Sequence, residues 1–278
     1  MESIRRWQFM EVVMQWDGEL TASRLCEYFG VSRTTAQKVI SDYQIRHPAN
    51  MADYNPKQKA HTPSQSFTPH YTKGELSEYL RFFSDPVHFD TLSSSSCPTN
   101  LELLPSPIRN ERPELIRAVI QACKHQRRLD IGYYSVSSGV NESRIISPHT
   151  LVFDGMRWHT RAYCERSKAF RDFVLSRFHE EPVFEDRRAD KTKADDTEWN
   201  QLLTLIIQPD PRLNAAQRKA IELDYRMDQG QCVIECRAAL IKYLLQKLRL
   251  DHYHHNPEGQ QIIVEPECWH RIEPYRLK

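Results

Sequence analysis

Apolar residues recur at helical spacing at the start of the chain, in a stripe that ends at Trp16 and is followed by Gly18. This spacing predicts an amphipathic first helix. Thr21 and Ser32 stand at positions suited to capping two further short helices, and Gly30 between them suits the left-handed residue of a tight turn. The pattern therefore predicts a helix-turn-helix.

The second helix of this pair has an apolar inner face and a polar outer face. Its apolar stripe, from Ala36 to Tyr43, leaves the polar side chains around Arg33 and Lys38 facing outward. Such side chains can bond base edges and phosphates in the major groove of DNA, although helical hairpins of this kind also serve as packing units. The predicted DNA-contacting residues of the helix are Ser32, Arg33, Thr34, Thr35, Gln37 and Lys38.

Two neighbouring segments favour an interaction with DNA. Residues 51–71 are polar and rich in Lys, His, Gln and Pro, which indicates a two-stranded wing whose basic tip, at Lys57 and Lys59, contacts the phosphate backbone. Residues 75–83 follow an amphipathic helical pattern, and this helix either joins a dimer interface or packs on the core. A dimer would place two recognition helices over two half-sites.

After a predicted helix over residues 113–126, the periodicity changes to that of β-strands. Asp154-Gly155 is a strong signal for a two-residue hairpin turn. Several short antiparallel strands of this kind suggest a small open barrel. The expected strands cover residues 129–135, 144–153, 156–164 and 173–178.

The predicted hairpin places three cationic or potentially cationic side chains on one face. A two-residue turn would pair Phe153 with Met156 and leave alternate residues of the following strand on the opposite face from Phe153. Like charges at such positions repel one another unless an anion or acidic side chains lie over them. The face is therefore either an anion site or a polar surface paired with acids such as Glu165 or Asp172. Its cations are Arg157, His159 and Arg161.

Composition divides the chain into three parts. A run of four serines and three prolines marks residues 91–112 as a linker, and a charged stretch separates the middle part from the last one. In that last part, strands and helices alternate, which fits a compact α/β sandwich. The predicted strands cover 202–208, 231–236 and 260–264, and the helices cover 214–223 and 238–248. The expected domains are 1–90, 113–190 and 197–278.

Overall charge is uninformative, but local charge is not. The 278 residues include 38 Lys and Arg against 37 Asp and Glu, a net charge of +1. Residues 33–73 hold six basic and two acidic side chains, and residues 127–177 hold nine and five, so each segment has a net charge of +4. Local positive charge of this kind attracts phosphates.

Other classes of protein find little support in the sequence. Cys232 and Cys236, with His residues at 252, 254 and 255, resemble a metal set by composition, but the cysteines fall on a predicted strand rather than in a zinc knuckle. There is no catalytic triad or phosphate-binding loop motif, so we expect neither enzymatic activity nor a cofactor. The seven cysteines form an odd set, and no apolar stretch approaches a membrane span. We expect a soluble, cytoplasmic protein with reduced thiols and no membrane partner.

The middle part resembles a WYL domain, a barrel of the Sm/SH3 type. The resemblance rests on four segments, although the family's Trp-Tyr-Leu triplet here retains only its Trp, as in a branch similar to the regulators of BREX and CBASS phage-defence operons. It extends over essentially the whole chain, as a winged helix, a WYL domain and a C-terminal extension called WCX. The four segments are Tyr133-Tyr134-Ser135, Arg144-Ile145-Ile146-Ser147-Pro148-His149, Trp158-His159-Thr160-Arg161-Ala162-Tyr163 and Phe170 to Phe178.

The resemblance implies a homodimeric regulator, usually a repressor, that binds an inverted-repeat operator and senses a nucleic-acid or nucleotide ligand in its WYL pocket. His159 joins the candidate effector-binding residues from the strand-face argument above. His149 belongs with Arg161 only if a β-bulge near Pro148 turns it to the same face. By motif position, the pocket candidates are Tyr134, Ser135, His149, Arg161, Arg171 and Arg177.

The sequence leaves two other functions open. The aromatic residues among the middle cations would also suit an accessory module that holds single-stranded nucleic acid and has no operator of its own. A metal-dependent hydrolase would require metal in the purified protein.

Overall fold

The computed structural model describes residues 2–52, 54–56, 59–83, 107, 109, 112–136, 139 and 141–276. The chain divides into two compact units, Met1–Pro105 and Ser106–Lys278. The first unit is mainly helical, and the second contains two antiparallel sheets with helices, which confirms the α+β class. Among the described residues, no helix has the length and apolar character needed to cross a membrane.

The first unit contains a helix-turn-helix packed on a long first helix. Phe9, Leu25 and Tyr43, one from each of the first three helices, are fully buried in a shared core. The fourth helix returns to this core, because Tyr79 is buried and the ring of Phe82 lies 5.5 Å from that of Phe9. The helices are α1 (Glu2–Asp17), α2 (Ala22–Phe29), α3 (Arg33–Arg46) and α4 (Leu76–Phe83).

A narrow hairpin follows α3 where the wing is predicted. Backbone bridges join Met51 to Pro63 and Asn55 to Ala60, and a third segment pairs through Leu20 and His61. The hairpin is thus short and has few ladder bonds, as expected of a segment so rich in proline and polar residues.

The second unit begins with a helix and a five-stranded antiparallel sheet of order β4-β3-β2-β1-β5. Among the described residues the two edge strands do not pair with each other, so the predicted barrel is not confirmed. The strand expected over residues 173–178 instead ends at Val174 and gives way to a short 3-10 helix, and the fifth strand was not predicted. The elements are α5 (Pro113–His125), β1 (Arg127–Tyr134), β2 (Asn141–Phe153), β3 (Trp158–Cys164), β4 (Ala169–Val174) and β5 (Val183–Arg188).

The hairpin between β2 and β3 has a wider turn than predicted. Phe153 pairs with Trp158 rather than with Met156, because the Asp154 carboxylate accepts hydrogen bonds from the backbone N–H groups of Met156 and Arg157 at 2.8 and 2.9 Å. This Asx-type turn adds two residues to the loop. A shift of two leaves the side chains between Thr150 and Arg161 on their predicted faces.

The β-bulge required near Pro148 is present. Pro148 pairs with Ala162 and Thr150 with Arg161, which leaves His149 as the extra residue of β2. The bulge turns His149 toward the same side as Arg161 and so removes the conflict in the sequence argument.

The remaining elements form a three-stranded antiparallel sheet, of order β7-β6-β8, covered by helices. Leu205 and Ile207 of the central strand pack against Ile241 and Leu245 in the core. Each predicted strand and helix of this part is present, with ends shifted by a few residues. The elements are α6 (Thr197–Asn200), β6 (Leu202–Pro209), α7 (Ala215–Asp224), β7 (Cys232–Arg237), α8 (Ile241–Lys247), α9 (Pro257–Gln260), β8 (Ile262–Val264) and α10 (Pro266–Ile272).

Candidate nucleic-acid interface and ligand cleft

The recognition helix α3 begins as the sequence predicts. Gly30 takes the left-handed conformation (φ 63°) that ends α2, and the Ser32 hydroxyl accepts a hydrogen bond from the Thr35 backbone N–H at 3.2 Å. The Ser32 and Thr35 hydroxyls also bond each other at 2.9 Å. Ser32 and Thr35, two of the six predicted DNA-contacting residues of this helix, therefore already take part in capping it.

Four of the predicted DNA-contacting side chains lie in the open on one side of α3. The opposite side, from Ala36 to Tyr43, is buried in the core. Lys59 is exposed near the tip of the wing, whereas Lys57 lies outside the described residues. They are Arg33, Thr34, Gln37 and Lys38, and Ser32, which precedes the helix, is exposed as well.

A buried carboxylate that is not among the predicted site residues fixes the far end of α3. Glu11 of α1 is fully buried and accepts a hydrogen bond from the Tyr43 hydroxyl at 2.9 Å. It also accepts from three consecutive backbone N–H groups that follow the wing, at residues 70–72, over 2.8 to 3.0 Å. Burial raises the pKa of Tyr43, so its hydroxyl stays protonated and keeps donating. One carboxylate thus ties the recognition helix and the wing to α1.

Asn50 completes this connection at the start of the wing. Its side-chain amide donates to the Tyr43 hydroxyl at 2.9 Å and to the Thr68 carbonyl at 2.7 Å, and the Thr68 N–H donates back at 3.2 Å. Both ends of the wing are therefore held against α3 by buried polar groups, whose loss would leave unsatisfied partners.

Replacing Ser32 with alanine should lower the free energy of unfolding of the first unit by about 1 kcal/mol, because the first turn of α3 loses its cap. Ser41→Ala, an exposed serine inside the same helix, is the matched control and should change little. Chemical denaturation followed by far-UV circular dichroism measures both. Equal stability of the two variants would contradict the capping role.

The second unit has a cleft of about 930 Å³ between the five-stranded sheet and the C-terminal elements. Lining residues come from β1 and β4 on one side and from the region of Ala238 and Lys242 on the other. Aromatic side chains, including Phe170 and Tyr275, alternate with charged ones around it. The predicted effector residues that line the cleft are Ser135, Arg161, Arg171 and Arg177.

Acidic side chains lie over the central cation of the cleft, as one branch of the sequence argument allowed. Arg161 is 4% exposed, and its guanidinium donates to both oxygens of Asp196, at 2.8 and 3.2 Å. Glu198 and Asp172 accept further bonds from it at 3.1 and 3.4 Å. Three carboxylates therefore surround one guanidinium, which in this structure binds protein acids.

Asp196 is the centre of this cluster. The His149 ring lies 3.2 Å from the same carboxylate oxygen that Arg161 contacts. Burial would raise the pKa of Asp196, but hydrogen bonds from His149 and Arg161 outweigh it and hold the pKa well below its ordinary value. Asp196 also caps α6 through the Trp199 N–H, at 3.1 Å.

Three of the predicted effector residues do not line the cleft. His149 lies beneath it, bonded to Asp196. His159 is buried against Asp154 (2.7 Å) and the ring of Tyr243, and burial lowers its pKa, so it is neutral at pH 7. Tyr134 is exposed on the other face of β1 and packs on His179.

The cations that remain available in the cleft are at its rim. Arg171 is exposed and Arg177 half-buried, and neither has an ion-pair or hydrogen-bond partner within the described part of the chain. Arg144 and Lys242 also line the cleft, although neither is among the predicted effector-binding residues. Lys242 lies 3.4 Å from Asp172. The rim can therefore attract an anion while the floor is already neutralised by carboxylates.

The Cys and His residues weighed as a metal set do not assemble one. In the described ranges of the chain, no group of three or more His, Cys, Asp or Glu side chains is arranged to hold a metal ion.

Comparison with known proteins assigns a family description to each part of the chain. Residues 2–85 match the BrxR transcriptional regulator winged helix-turn-helix domain, residues 114–181 match the WYL domain, and residues 202–270 match the BrxR transcriptional regulator C-terminal dimerization domain.

Whole-chain relatives carry consistent names. The DNA-binding transcriptional repressor CapW of Escherichia coli (strain KTE188) is 31% identical over 94% of this chain and 88% of its own length. The protein of the same name from Pseudomonas aeruginosa is 32% identical over the same shares. These names describe repressors and not enzymes. Among solved structures, proteasome accessory factor B/C of Arthrobacter aurescens covers 99% of this chain and 48% of its own, with 13% identity and a TM-score of 0.28.

Proposed function

Since the chain belongs to the family of BrxR and CapW transcriptional regulators, we propose that it is a homodimeric DNA-binding repressor that acts on an inverted-repeat operator of a phage-defence operon. The observation that carries this proposal is the helix α3, whose inner face is buried and whose outer face presents Arg33, Thr34, Gln37 and Lys38. This arrangement lets side chains of one helix contact base edges in a major groove.

The other DNA contacts follow from the first unit. Ser32 and Thr35 would lie beside a phosphate at the N-terminus of α3, where the first turn of the helix suits an anion. Lys57 and Lys59 of the wing would neutralise phosphates beside the groove and make binding dependent on salt. The winged helix is proposed to occupy residues 1–90, followed by a linker over 91–112.

The second unit is proposed to supply sensing and dimerisation. Residues 113–190 would form the WYL domain, with its sheet closing toward an Sm/SH3-type barrel, and residues 197–278 would form the dimerisation domain, called WCX. A nucleic-acid or nucleotide ligand would place its phosphates at the cleft rim, near Arg171 and Arg177. Tyr134, Ser135, His149, His159 and Arg161 complete the proposed effector-binding set. A ligand changes operator affinity only if it binds one geometry of the dimer better than another.

A gel-shift experiment on the DNA upstream of the protein's own gene tests the repressor function. We expect the protein to bind a palindromic segment with a dissociation constant of about 1 to 10 nM. The dissociation constant for scrambled duplex should be higher by a factor of about 1,000 or more. Equal affinity for both duplexes would contradict the proposal.

The same experiment separates the repressor from a single-strand-binding accessory module. Such a module would bind single strands and show no preference for the palindrome. The structure gives this alternative less support than the sequence did, because Tyr133 is buried and Tyr163 packs against Phe170. Only Tyr134 and Trp158 of the aromatic set are exposed.

A further inference from the structure

The carboxylates around Arg161 occupy the position that an anionic ligand would need. The guanidinium has its Nε and both terminal nitrogens engaged with Asp196, Asp172 and Glu198. A phosphate that enters the cleft can bind Arg171 and Arg177 directly, but it can reach Arg161 only by replacing one of these acids. The same acids repel the phosphate even before it makes contact.

One of the three carboxylates is more readily displaced than the others. The side chain of Glu198 is 23% exposed, against 3% for Asp172 and 1% for Asp196. A partly exposed carboxylate that leaves its partner can be hydrated, whereas a buried one loses its only favourable surroundings. Glu198 is therefore the acid that a ligand phosphate would displace first.

The helix that carries Glu198 connects the sheet to the C-terminal sheet and helices. On α6, Trp199 is buried, its carbonyl accepts a hydrogen bond from Arg237 at 2.6 Å, and its ring packs near His149 of the bulge. Asp172 of β4 also contacts the C-terminal helices, because its carboxylate accepts a hydrogen bond from the hydroxyl of Tyr243 on α8 at 3.0 Å. The bonds from Arg161 thus fasten the five-stranded sheet to α6. The bonds of Arg237 and Tyr243 in turn connect Trp199 and Asp172 to residues 202–270, which match a dimerization domain.

We propose that Glu198, supported by Asp196, acts as an internal competitor of the ligand, so that a phosphate in the cleft takes its place on Arg161 and loosens α6 from the sheet. This inference rests on the ligand-sensing function proposed above. Glu198 thereby sets the ligand concentration at which the cleft fills. When Glu198 leaves Arg161, the loosening of α6 transmits the presence of the ligand to the dimerisation region. By linkage, whatever weakens the hold of Glu198 on Arg161 strengthens ligand binding.

The test compares Glu198→Gln with wild type for binding of a fluorescent single-stranded oligothymidylate of about ten nucleotides. The amide keeps the size and hydrogen-bonding capacity of the side chain but removes its charge. We expect the full-length variant to bind the probe about five- to tenfold more tightly, and to release operator duplex at correspondingly lower probe concentration. Its operator affinity without probe should stay within about twofold of wild type, because the amide oxygen can still accept the hydrogen bond from Arg161 that holds α6 to the sheet.

Glu235→Gln is the matched control, because Glu235 is an exposed acid of β7 that does not line the cleft. It removes the same charge from the same part of the chain and should leave probe affinity unchanged. Equal gains in the two variants, or no gain in Glu198→Gln, would overturn the competition while leaving sensing in place. If wild type and Glu198→Gln both fail to bind the probe, the sensing of single-stranded nucleic acid and the competition for it are both wrong.

Movement of α6 has its own readout. Trp199 lies one residue after Glu198 on α6 and is buried. If α6 loosens when the oligothymidylate binds, the surroundings of Trp199 change, and the intrinsic tryptophan fluorescence should change with them. The change should disappear in Trp199→Phe and persist in Trp269→Phe. Probe binding with no Trp199-dependent change would contradict the loosening of α6.

Discussion

Replacing Asp196 with alanine should lower the free energy of unfolding of the second unit by about 3 kcal/mol. Removing one partner of a buried ion pair leaves the other charge uncompensated, and Arg161 is only 4% exposed. Asp172 and Glu198 remain within 3.4 Å of it, which keeps the loss toward the lower end of the range for such pairs. The lost cap at Trp199 adds to it. Urea denaturation of the full chain, followed by circular dichroism, measures the change.

Two further variants isolate the cause. Asp186→Ala removes an exposed aspartate of β5 and should cost less than about 0.5 kcal/mol. Asp196→Asn keeps the helix cap but removes the charge, so its loss should fall between those of the other two. If Asp196→Ala were no less stable than Asp186→Ala, the cluster around Arg161 would not be a structural junction.

The contribution of Asp196 should also depend on pH in a defined direction. Its pKa in the folded protein is lowered by His149 and Arg161 despite burial. A lowered carboxyl pKa stabilises the fold fully above the unfolded pKa of about 4 and loses that stabilisation as the pH falls toward the folded pKa. The difference in free energy of unfolding between wild type and Asp196→Asn should therefore be constant around neutral pH and become smaller as the pH falls below about 4.

Local features of the fold were predictable because each depends on neighbouring residues. The cap at Ser32, the left-handed Gly30 and the apolar stripe of α3 are set by side chains within one or two turns, and all are present. The bulge at His149 was one of two ways to resolve the conflict between strand alternation and the WYL motif, and the register of β2 and β3 contains it. The width of the hairpin turn did not follow, because it depends on the Asp154 side chain bonding two backbone N–H groups rather than on the Asp-Gly pair alone.

The acid cluster could not be located from spacing. Asp196 lies 35 positions from Arg161 and Glu11 lies 32 from Tyr43, and no periodicity relates residues brought together by tertiary packing. One signal was available: alternating cations on β3 require acids or an anion over them. The acidic run at residues 195–198 was the source of those acids, but its charge alone marked it only as a domain boundary.

The predicted effector residues divide into two roles. Arg161 binds the acids that hold α6 to the five-stranded sheet, while Arg171 and Arg177 are the cations that a ligand can reach. Recognition of a ligand and transmission of its presence can therefore lie on different arginines of one cleft. Arg171→Ala should weaken binding of an anionic probe without destabilising the fold, in contrast to changes at the junction.

The operator contacts proposed for α3 give the other large expected effect. Replacing Arg33 and Gln37 together with alanine should lower operator affinity about 100-fold or more, since each well-formed contact with a base contributes about 1 to 3 kcal/mol of discrimination. Both side chains are exposed on the outer face of α3 and make no contribution to its buried stripe. The stability of the fold should therefore be unchanged. Fluorescence anisotropy with labelled operator measures the loss.

Comparison of operator with scrambled duplex decides what these residues contact. If Arg33 and Gln37 bond base edges, the double variant should lose affinity for operator and retain most of its affinity for scrambled duplex. Lys38→Ala should weaken both duplexes alike and reduce the slope of log affinity against log salt by about 1, as expected for a phosphate contact. Arg5→Ala, an exposed arginine of α1 outside the helix-turn-helix, controls for the loss of positive charge. If Arg5→Ala weakened operator binding as much as the double variant, general charge and not the face of α3 would determine affinity.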